Sequence, residues 1–498
     1  MPPSRWLKPT LAAALLLTAA PVQAQTTAAD AAALQQAVHD FFDQLTGLPA
    51  ISAALTPQVT AEGDHLRLVL GWAKLGGSKL GGANLGGAAF SLDAGTLTAN
   101  AKPLSGGRWA LDDIRYPSKL EASSAAGEPT GPMSFRLSLD DQKVSLVLDP
   151  TFATTSTADA RLTGYALRTD TKQGTQTYRI DAVESHAVMQ PAEAGRITLH
   201  SDASQTGTSI SMLAPGGTPI TVGIDKIAGK VRIKNFALRQ LGSLLQDASS
   251  LARGPEAGKK PDADAAKATA TRALQVIAGL MDSMDTDYTA TGIRVKAAEG
   301  TVGLRKFGFG LHLGSEDGGL QASMPLLLEG LDAPDLVPAT MRDVVPRQIS
   351  LTPTISGISK PAITALLQQG IDGKINGDDA WQAAFLQLLS DNPVTVGFED
   401  LAVDFGVARL EGGGEVEVSS PADFTGKAEF RLTGLDALIK RANATPELKQ
   451  AAPVLIFLKG IGDQKGKETV WRVSYDDGHF TVNDTDLSDM APGAKASK

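Results

Sequence analysis

The chain has 498 residues, no cysteine, 51 glycines, 20% charged residues and a formal charge of -9; its aromatics are 15 Phe, 5 Trp and 5 Tyr. An apolar content of 42% is enough for sizeable cores and excludes a disordered or collagen-like chain, while so few aromatics argue against an outer-membrane barrel with interfacial girdles. The missing cysteine excludes disulfide scaffolds, zinc ribbons, iron–sulfur clusters, thiol catalysis and a lipidated cysteine.

At the N-terminus, Arg5 and Lys8 precede an apolar stretch from Leu11 to Ala20, and Val22-Gln23-Ala24 places small residues ahead of Gln25. This spacing predicts a secretory signal peptide over residues 1–24, cleaved after Ala24, because the apolar stretch falls well short of the roughly 20 residues that cross a bilayer. Cleavage removes two positive charges and leaves 474 residues at -11. The longest later apolar run near the end, Ala451 to Leu458, is eight residues followed by Lys459, so no spanning segment is expected and the mature chain is placed in the periplasm. An acidic exported chain with no cluster of Lys and Arg is not expected to bind nucleic acid. Its densest basic pair, Lys259-Lys260, sits beside Asp262 and Asp264.

Residues 28–45 carry Leu34, Val38, Phe41, Phe42 and Leu45 at three- and four-residue steps, an amphipathic helix that ends before Gly47 and Pro49. From about residue 55 to 235 the period becomes two. Phe135–Leu139 and Val144–Leu148 form a hairpin across Asp140-Asp141, and short strands are expected at 160–169, 177–183, 196–200, 208–212 and 220–224, separated by turns. Residues 230–236 lead into a leucine helix at 237–251. Arg253 to Lys267 has no apolar period and reads as a linker or loop before a helix at 268–284.

Strands follow at 286–296, 300–313 and 320–328, then a Pro-punctuated passage, a strand at 348–355 and helices at 360–369 and 378–389. The tail carries strands at 394–401, 405–410, 415–419 and 427–432, a helical stretch at 436–456, and a hairpin of 468–475 with 479–482. Val231–Leu238 and Phe430–Leu438 match in type: an alternating strand, an Asn or Gly break, then a leucine helix. Residues 348–367 follow the same plan more loosely.

The pattern predicts an α+β fold of extended antiparallel β-meander sheets with helices packed at the module ends, elongated, in two related halves. The divisions are the signal peptide at 1–24, an N-terminal helix and β-meander half at 25–252 ending in a helix, a linker at 253–267, and a second α+β half at 268–498.

The repeat Leu75-Gly76-Gly77, Leu80-Gly81-Gly82, Leu85-Gly86-Gly87 within residues 73–92 resembles one coil of a pentapeptide solenoid, too little to bury a core. It lacks the Lys-Ser/Thr of a phosphate loop and reads as a flexible expansion between strands. Gly460–Glu468 has the wrong glycine spacing for a P-loop and ends in Glu. No Gly-x-Ser-x-Gly elbow or His-Glu-x-x-His helix occurs. His39, His65, His186, His200, His312 and His479 show no ligand spacing. Asp484, Asp486 and Asp489 lack the central Gly and distant Glu of a calcium loop. No catalytic, cofactor-binding or metal residue is assigned, and no cofactor is implied.

The segments 428–439, 448–460, 470–475 and 477–483 resemble the closing part of a large Gram-negative exported family known as domain of unknown function 2125, or the related 945 type. That family runs strand, Gly-Leu-Asp-Ala-Leu helix, apolar helix and a final hairpin ending Val-Asn-Gly; here Asp484 stands in place of the Gly. The passage 336–349 looks similar too. The resemblance implies an exported envelope protein and brings no catalytic residues. The expected function is non-enzymatic: binding of an apolar ligand such as lipid, binding of an envelope protein, or an envelope scaffold. The alternative is an envelope hydrolase acting on glycan or ester through carboxylates, which the scarcity of stacking aromatics disfavours.

Overall fold

The computed structural model describes residues 26–46, 55–72, 75–77, 79–80, 83–84, 90–93, 95–127, 131–151, 154–171, 174–213, 217–252, 263–316, 319–420 and 423–488. The expected signal peptide and residues 253–262 of the expected linker lie outside them. The fold is α+β and mostly β, with a large antiparallel sheet and few helices.

Helix α1 (Ala28–Thr46) starts from a reciprocal cap in which the Thr27 N–H donates to Asp30 and the Asp30 N–H donates to the Thr27 hydroxyl. Its apolar stripe lies on the first strands, β1 (Leu55–Glu62) and β2 (His65–Trp72). Within the glycine repeat, β3 (Leu75–Gly77) runs antiparallel to β6 (Phe90–Asp93), and β4 (Lys79–Leu80) to β5 (Ala83–Asn84). The described parts of the repeat therefore pair as nested antiparallel ladders. Strands β7 (Thr96–Pro103), β8 (Trp109–Arg115), β9 (Lys119–Gly127), β10 (Gly131–Ser138) and β11 (Asp141–Asp149) lead to β12 (Thr154–Thr171). The first half of β12 pairs with β11 and its second half with β10, so the sheet divides into two arms at this strand.

From β12 onward the chain adds strands in sequence: β13 (Gly174–Pro191), β14 (Ile197–Leu213) and β15 (Pro219–Phe236), then helices α2 (Leu238–Ala252) and α3 (Ala263–Ala278). The ladder resumes with β16 (Ser283–Ala297) paired to β15 and β17 (Gly300–Glu316) paired to β16. Two short strands, β18 (Gly319–Ser323) and β19 (Leu326–Asp332), lie end to end between β17 and β20 (Gln348–Ser359). Helices α4 (Lys360–Ile371) and α5 (Asp378–Asp391) precede β21 (Val394–Asp404), β22 (Arg409–Ser420) and β23 (Asp423–Thr433). Helices α6 (Leu435–Ala444) and α7 (Ala452–Ile461) are followed by β24 (Asp463–Lys465), β25 (Glu468–Asp476), β26 (His479–Val482) and β27 (Thr485–Asp486). One antiparallel sheet takes in 25 of these strands, so the regions on either side of residues 253–267 share one ladder.

Several sequence expectations shift. The expected hairpin of 135–139 with 144–148 does not form: β10 pairs with β9 and β12, and β11 pairs with β8 and β12. The strand expected at 320–328 is the two strands β18 and β19, and residues 405–408 of the strand expected at 405–410 are a turn before β22. Helix α3 begins at Ala263, inside the expected linker, and ends at Ala278, so residues 283–284 belong to β16. The helical stretch 436–456 is two α-helices joined by a 3-10 turn at Pro446–Ala451, because Pro446 and Pro453 each lack a helical N–H donor. The short strands expected between 160 and 224 are parts of strands 17 and 18 residues long.

The apparent turns inside those strands are creases. Gly164, Gly207 and Gly292 all have φ near +60°, and a Cβ on them would fall on the carboxylates of Asp140, Asp181 and Asp225 respectively. The row continues with Gly330 under Arg305 inside β19, while Gly406 under Arg347 lies in the turn between β21 and β22. At this level β12 to β17 and β19 shift their side-chain parity. Pairing resumes as Thr163↔Ala182 and Tyr165↔Ile180, or Thr291↔Lys306 and Ile293↔Leu304. Apolar residues on one face are therefore three apart across the crease, as in Leu162/Tyr165, Ile224/Ile227 and Ala290/Ile293, and stay on the same face. The strand-to-helix breaks matched in the sequence are also conformational: Asn235 and Gly434 both hold the left-handed backbone.

Complete burial of apolar side chains concentrates at two ends. Near α1, Leu34, Val38, Leu66, Leu68, Leu70, Val144 and Leu148 form one core. Near α6 and α7, Leu432, Leu435, Trp471 and Val482 form another, and the Trp471 indole N–H donates to the Leu458 carbonyl at 2.8 Å. Between Asp149 and Val407, among the described residues, only Ile180, Ile197, Ala237, Leu244, Ala290 and Ile375 are fully buried apolar side chains.

Leu34→Ala is expected to destabilise the protein by about 2–5 kcal/mol, and Ile277→Ala, at a 63% exposed site, to change stability by less than about 0.5 kcal/mol in denaturant unfolding. Gly207→Ala adds a Cβ at positive φ against Asp181 and is expected to cost about 2 kcal/mol, whereas Gly223→Ala, which meets no neighbour, stays close to wild type; the two midpoints in urea check this.

Candidate functional site

Hydrogen-bond register places the apolar side chains of the long strands in rows across one face of the sheet. One row runs Leu167, Tyr178, Ile210, Val222, Val295 and Val302. A second, on the other side of the crease, runs Leu199, Ile233, Met284, Leu313, Ala322, Ile355, Val396 and Val416. At about 4.8 Å per strand, the second row spans roughly 35 Å of sheet. Helix α1 covers this face at one end, and α6 with α7 covers it at the other. Between them it is incompletely covered: Tyr288 is 44% exposed, Leu331 43% and Val396 47%. An apolar face this long and this open is unusual on a folded chain.

Helices α2 to α5 touch one another in series, α1 touches α2, and α5 touches β22. Polar side chains join the row. Arg272 bonds to Ser243 at 2.6 Å and to Asp247, Lys267 pairs with Asp372 at 3.0 Å, and Gln368 donates to Thr271 at 3.2 Å. Leu245, Ile277, Leu367 and Phe385 on these helices are exposed. The row therefore holds itself together by surface contacts and buries little of its own apolar area.

A recess of about 230 Å³, open to solvent, lies on the apolar face, lined by Ile293, Val295, Val302, Leu304, Leu328, Leu331, Pro346 and Ile349. It is larger than the roughly 150 Å³ cavity that admits benzene, and its lining is almost purely hydrocarbon. Four separate strand segments contribute to it, so no local motif announces it. The signal available in the sequence was the alternation itself.

The opposite face is polar and curls into a trough of about 1020 Å³ between β16 and β26. Asp285, His312, Glu399, Glu415, Lys427, Glu429 and Arg472 stand on its walls. Most of these charges are already engaged. Glu415 accepts from Lys427 at 2.9 Å and holds that ammonium above its ordinary pKa; Glu429 accepts from Arg431 at 2.7 Å; and the His312 ring lies 3.1 Å from Asp287.

His65, His186 and His479 likewise each stand beside a carboxylate at the surface. Among the described residues no group of three or more His, Asp or Glu could hold a metal ion. Asp486 gives its carboxylate to the Ser488 N–H and hydroxyl, which lowers its pKa, and Asp489 lies outside the described residues. No helix among the described residues is long and apolar enough to cross a membrane.

A large antiparallel sheet with one apolar, partly uncovered face and one polar, concave face defines the architecture. Comparison of the chain with protein-family models, with curated proteins and with solved structures finds no match.

The helix row carries a pH dependence. Lys267 and Gln368 hold the Asp372 carboxyl below its ordinary value of 3.8, so the ionised form stabilises the α3–α4 contact above that value, and the contribution is lost as acid titrates the lowered group. Amide exchange in α3 and α4, corrected for intrinsic rate, is expected to accelerate as the pH falls below about 4 and to be faster at pH 7 in Asp372→Asn than in wild type.

Proposed function

We propose that the chain is an exported, non-enzymatic envelope protein that binds the hydrocarbon part of a lipid on the apolar face of its sheet. The observation that carries this reading is the incomplete cover of that face between the two cores, with the recess bounded by Leu304, Leu328 and Leu331 within it. Apolar surface on a soluble chain is costly in water, and a ligand that removes it from water is favoured in proportion to the area covered. A recess with almost no polar lining favours an acyl chain over a polar molecule of the same size. The signal-peptide pattern at residues 1–24 and the resemblance of residues 428–483 to an exported family supply the periplasmic setting of the proposal.

The polar trough is what favours the second reading, a hydrolase working through carboxylates such as Glu399. Glu415 and Glu429 are tied to Lys427 and Arg431, and for that reason the lipid reading is preferred.

Protein purified from an envelope fraction without detergent is expected to release lipid into organic solvent, detected by mass spectrometry, and to bind the neutral probe N-phenyl-1-naphthylamine saturably. Leu328→Glu with Leu331→Glu, both at exposed positions of the recess, is expected to weaken probe binding at least tenfold. Wild-type protein that carries no lipid and binds no probe would refute the reading.

A further inference from the structure

Helix α7 is apolar on both sides. Its inner side, Leu455, Leu458 and Ile461, packs into the C-terminal core. Its outer side carries Pro453, Ile456, Phe457 and Gly460, the i, i+3, i+4, i+7 spacing of one helical face, with Val454 beside them. All five are exposed, with Val454 at 58%, Ile456 at 54% and Phe457 at 48%.

Three lysines frame this stripe and outnumber the two exposed carboxylates beside them, Glu447 and Glu468. Lys449 precedes Pro453 by four residues. Lys465 and Lys467 flank Gly466 in the β24–β25 turn just after the helix. All three lysines are exposed, and among the described residues none of them has an ion-pair partner. Lys459, by contrast, is held by Asp436. An apolar stripe with an aromatic, framed by free ammonium groups, is complementary to an anionic bilayer surface, into whose headgroup region such a helix lies with its axis in the plane.

The position agrees with this occupant. Arg441 of α6 donates to the Thr340 carbonyl and to Asp343, and ties the helix pair to the 3-10 turn at Ala339–Val344. That turn leads into Pro346, which lines the apolar recess. The helix, the turn and the recess thus lie in one connected region.

We propose that the outer face of α7, with Lys449, Lys465 and Lys467, docks the protein on an anionic lipid bilayer next to the apolar recess. The proposal rests on the lipid-binding reading for its purpose, and the two can fail separately.

The test is sedimentation of the full mature chain with vesicles of phosphatidylglycerol and phosphatidylethanolamine, against vesicles of phosphatidylcholine alone. Wild type is expected to sediment with the anionic vesicles, to do so at least fivefold less with the neutral ones, and to be released by 0.5 M salt. Val454→Asp with Phe457→Asp, at exposed positions, is expected to lose vesicle binding at least tenfold while retaining N-phenyl-1-naphthylamine binding and an unchanged circular dichroism spectrum. Lys465→Glu with Lys467→Glu should lose the preference for anionic vesicles. Wild type that binds the probe but no vesicle overturns the docking proposal and leaves the lipid reading in place. Loss of both overturns both. A concentration-dependent dimer in analytical ultracentrifugation that the Val454/Phe457 double variant disperses, without vesicle binding, assigns the stripe to a second copy and also overturns the proposal.

Discussion

Side chains alternate across a β-strand, so apolar residues spaced three apart, such as Leu162/Tyr165 and Ile224/Ile227, share a face only where the backbone changes parity, and this protein meets that constraint with its crease. At one level, glycines in the left-handed conformation lie beneath charged side chains, Gly164, Gly207 and Gly292 under Asp140, Asp181 and Asp225, and Gly330 under Arg305. Strands β12 to β17 and β19 change parity there without losing register with their neighbours. A glycine is required because any Cβ would meet the charged side chain above it, in a backbone region that other residues pay about 1–2 kcal/mol to enter. The continuity of the apolar face, and so every surface discussed above, follows from this arrangement.

That face distributes stability unevenly. The cores at α1 and at α6–α7 contain most of the fully buried leucines and valines and both buried tryptophans, while the middle of the sheet rests largely on backbone pairing and half-buried side chains. Long antiparallel ladders satisfy nearly all of their backbone groups internally and so persist with less burial than a globular core demands. The helices α2 to α5 add a row tied by Arg272, Lys267 and Gln368, whose ion pairs contribute modestly because they face water.

Much of the architecture was legible. The antiparallel β pattern, helix α1, the strand–helix junctions at Asn235 and Gly434, and the final hairpin follow from local periodicity and turn residues, because these depend on neighbours in the chain. Strand length was not legible. Gly164, Gly207 and Asp225 carry the same local signal in a crease as in a turn, and only the opposing strand distinguishes the two. Helix α3 was displaced for a similar reason, since Ala263–Lys267 lacks apolar residues and an exposed helix needs none.

The sequence by itself determined which residues alternate, where glycine and proline interrupt them, and that the chain holds no cysteine chemistry and no recognisable catalytic motif. Only the tertiary structure decided that Ile293, Leu304, Leu331 and Ile349 meet in one recess, and that the polar sides of β16 and β26 close on a common trough. The same is true of α7, whose run from Ala451 to Leu458 is uniformly apolar in sequence; packing on Trp471 and Leu432 selects which side is buried and leaves Ile456 and Phe457 facing water. Periodicity is a property of neighbours along the chain, whereas a pocket and an exposed stripe are set by register and by which face finds a partner.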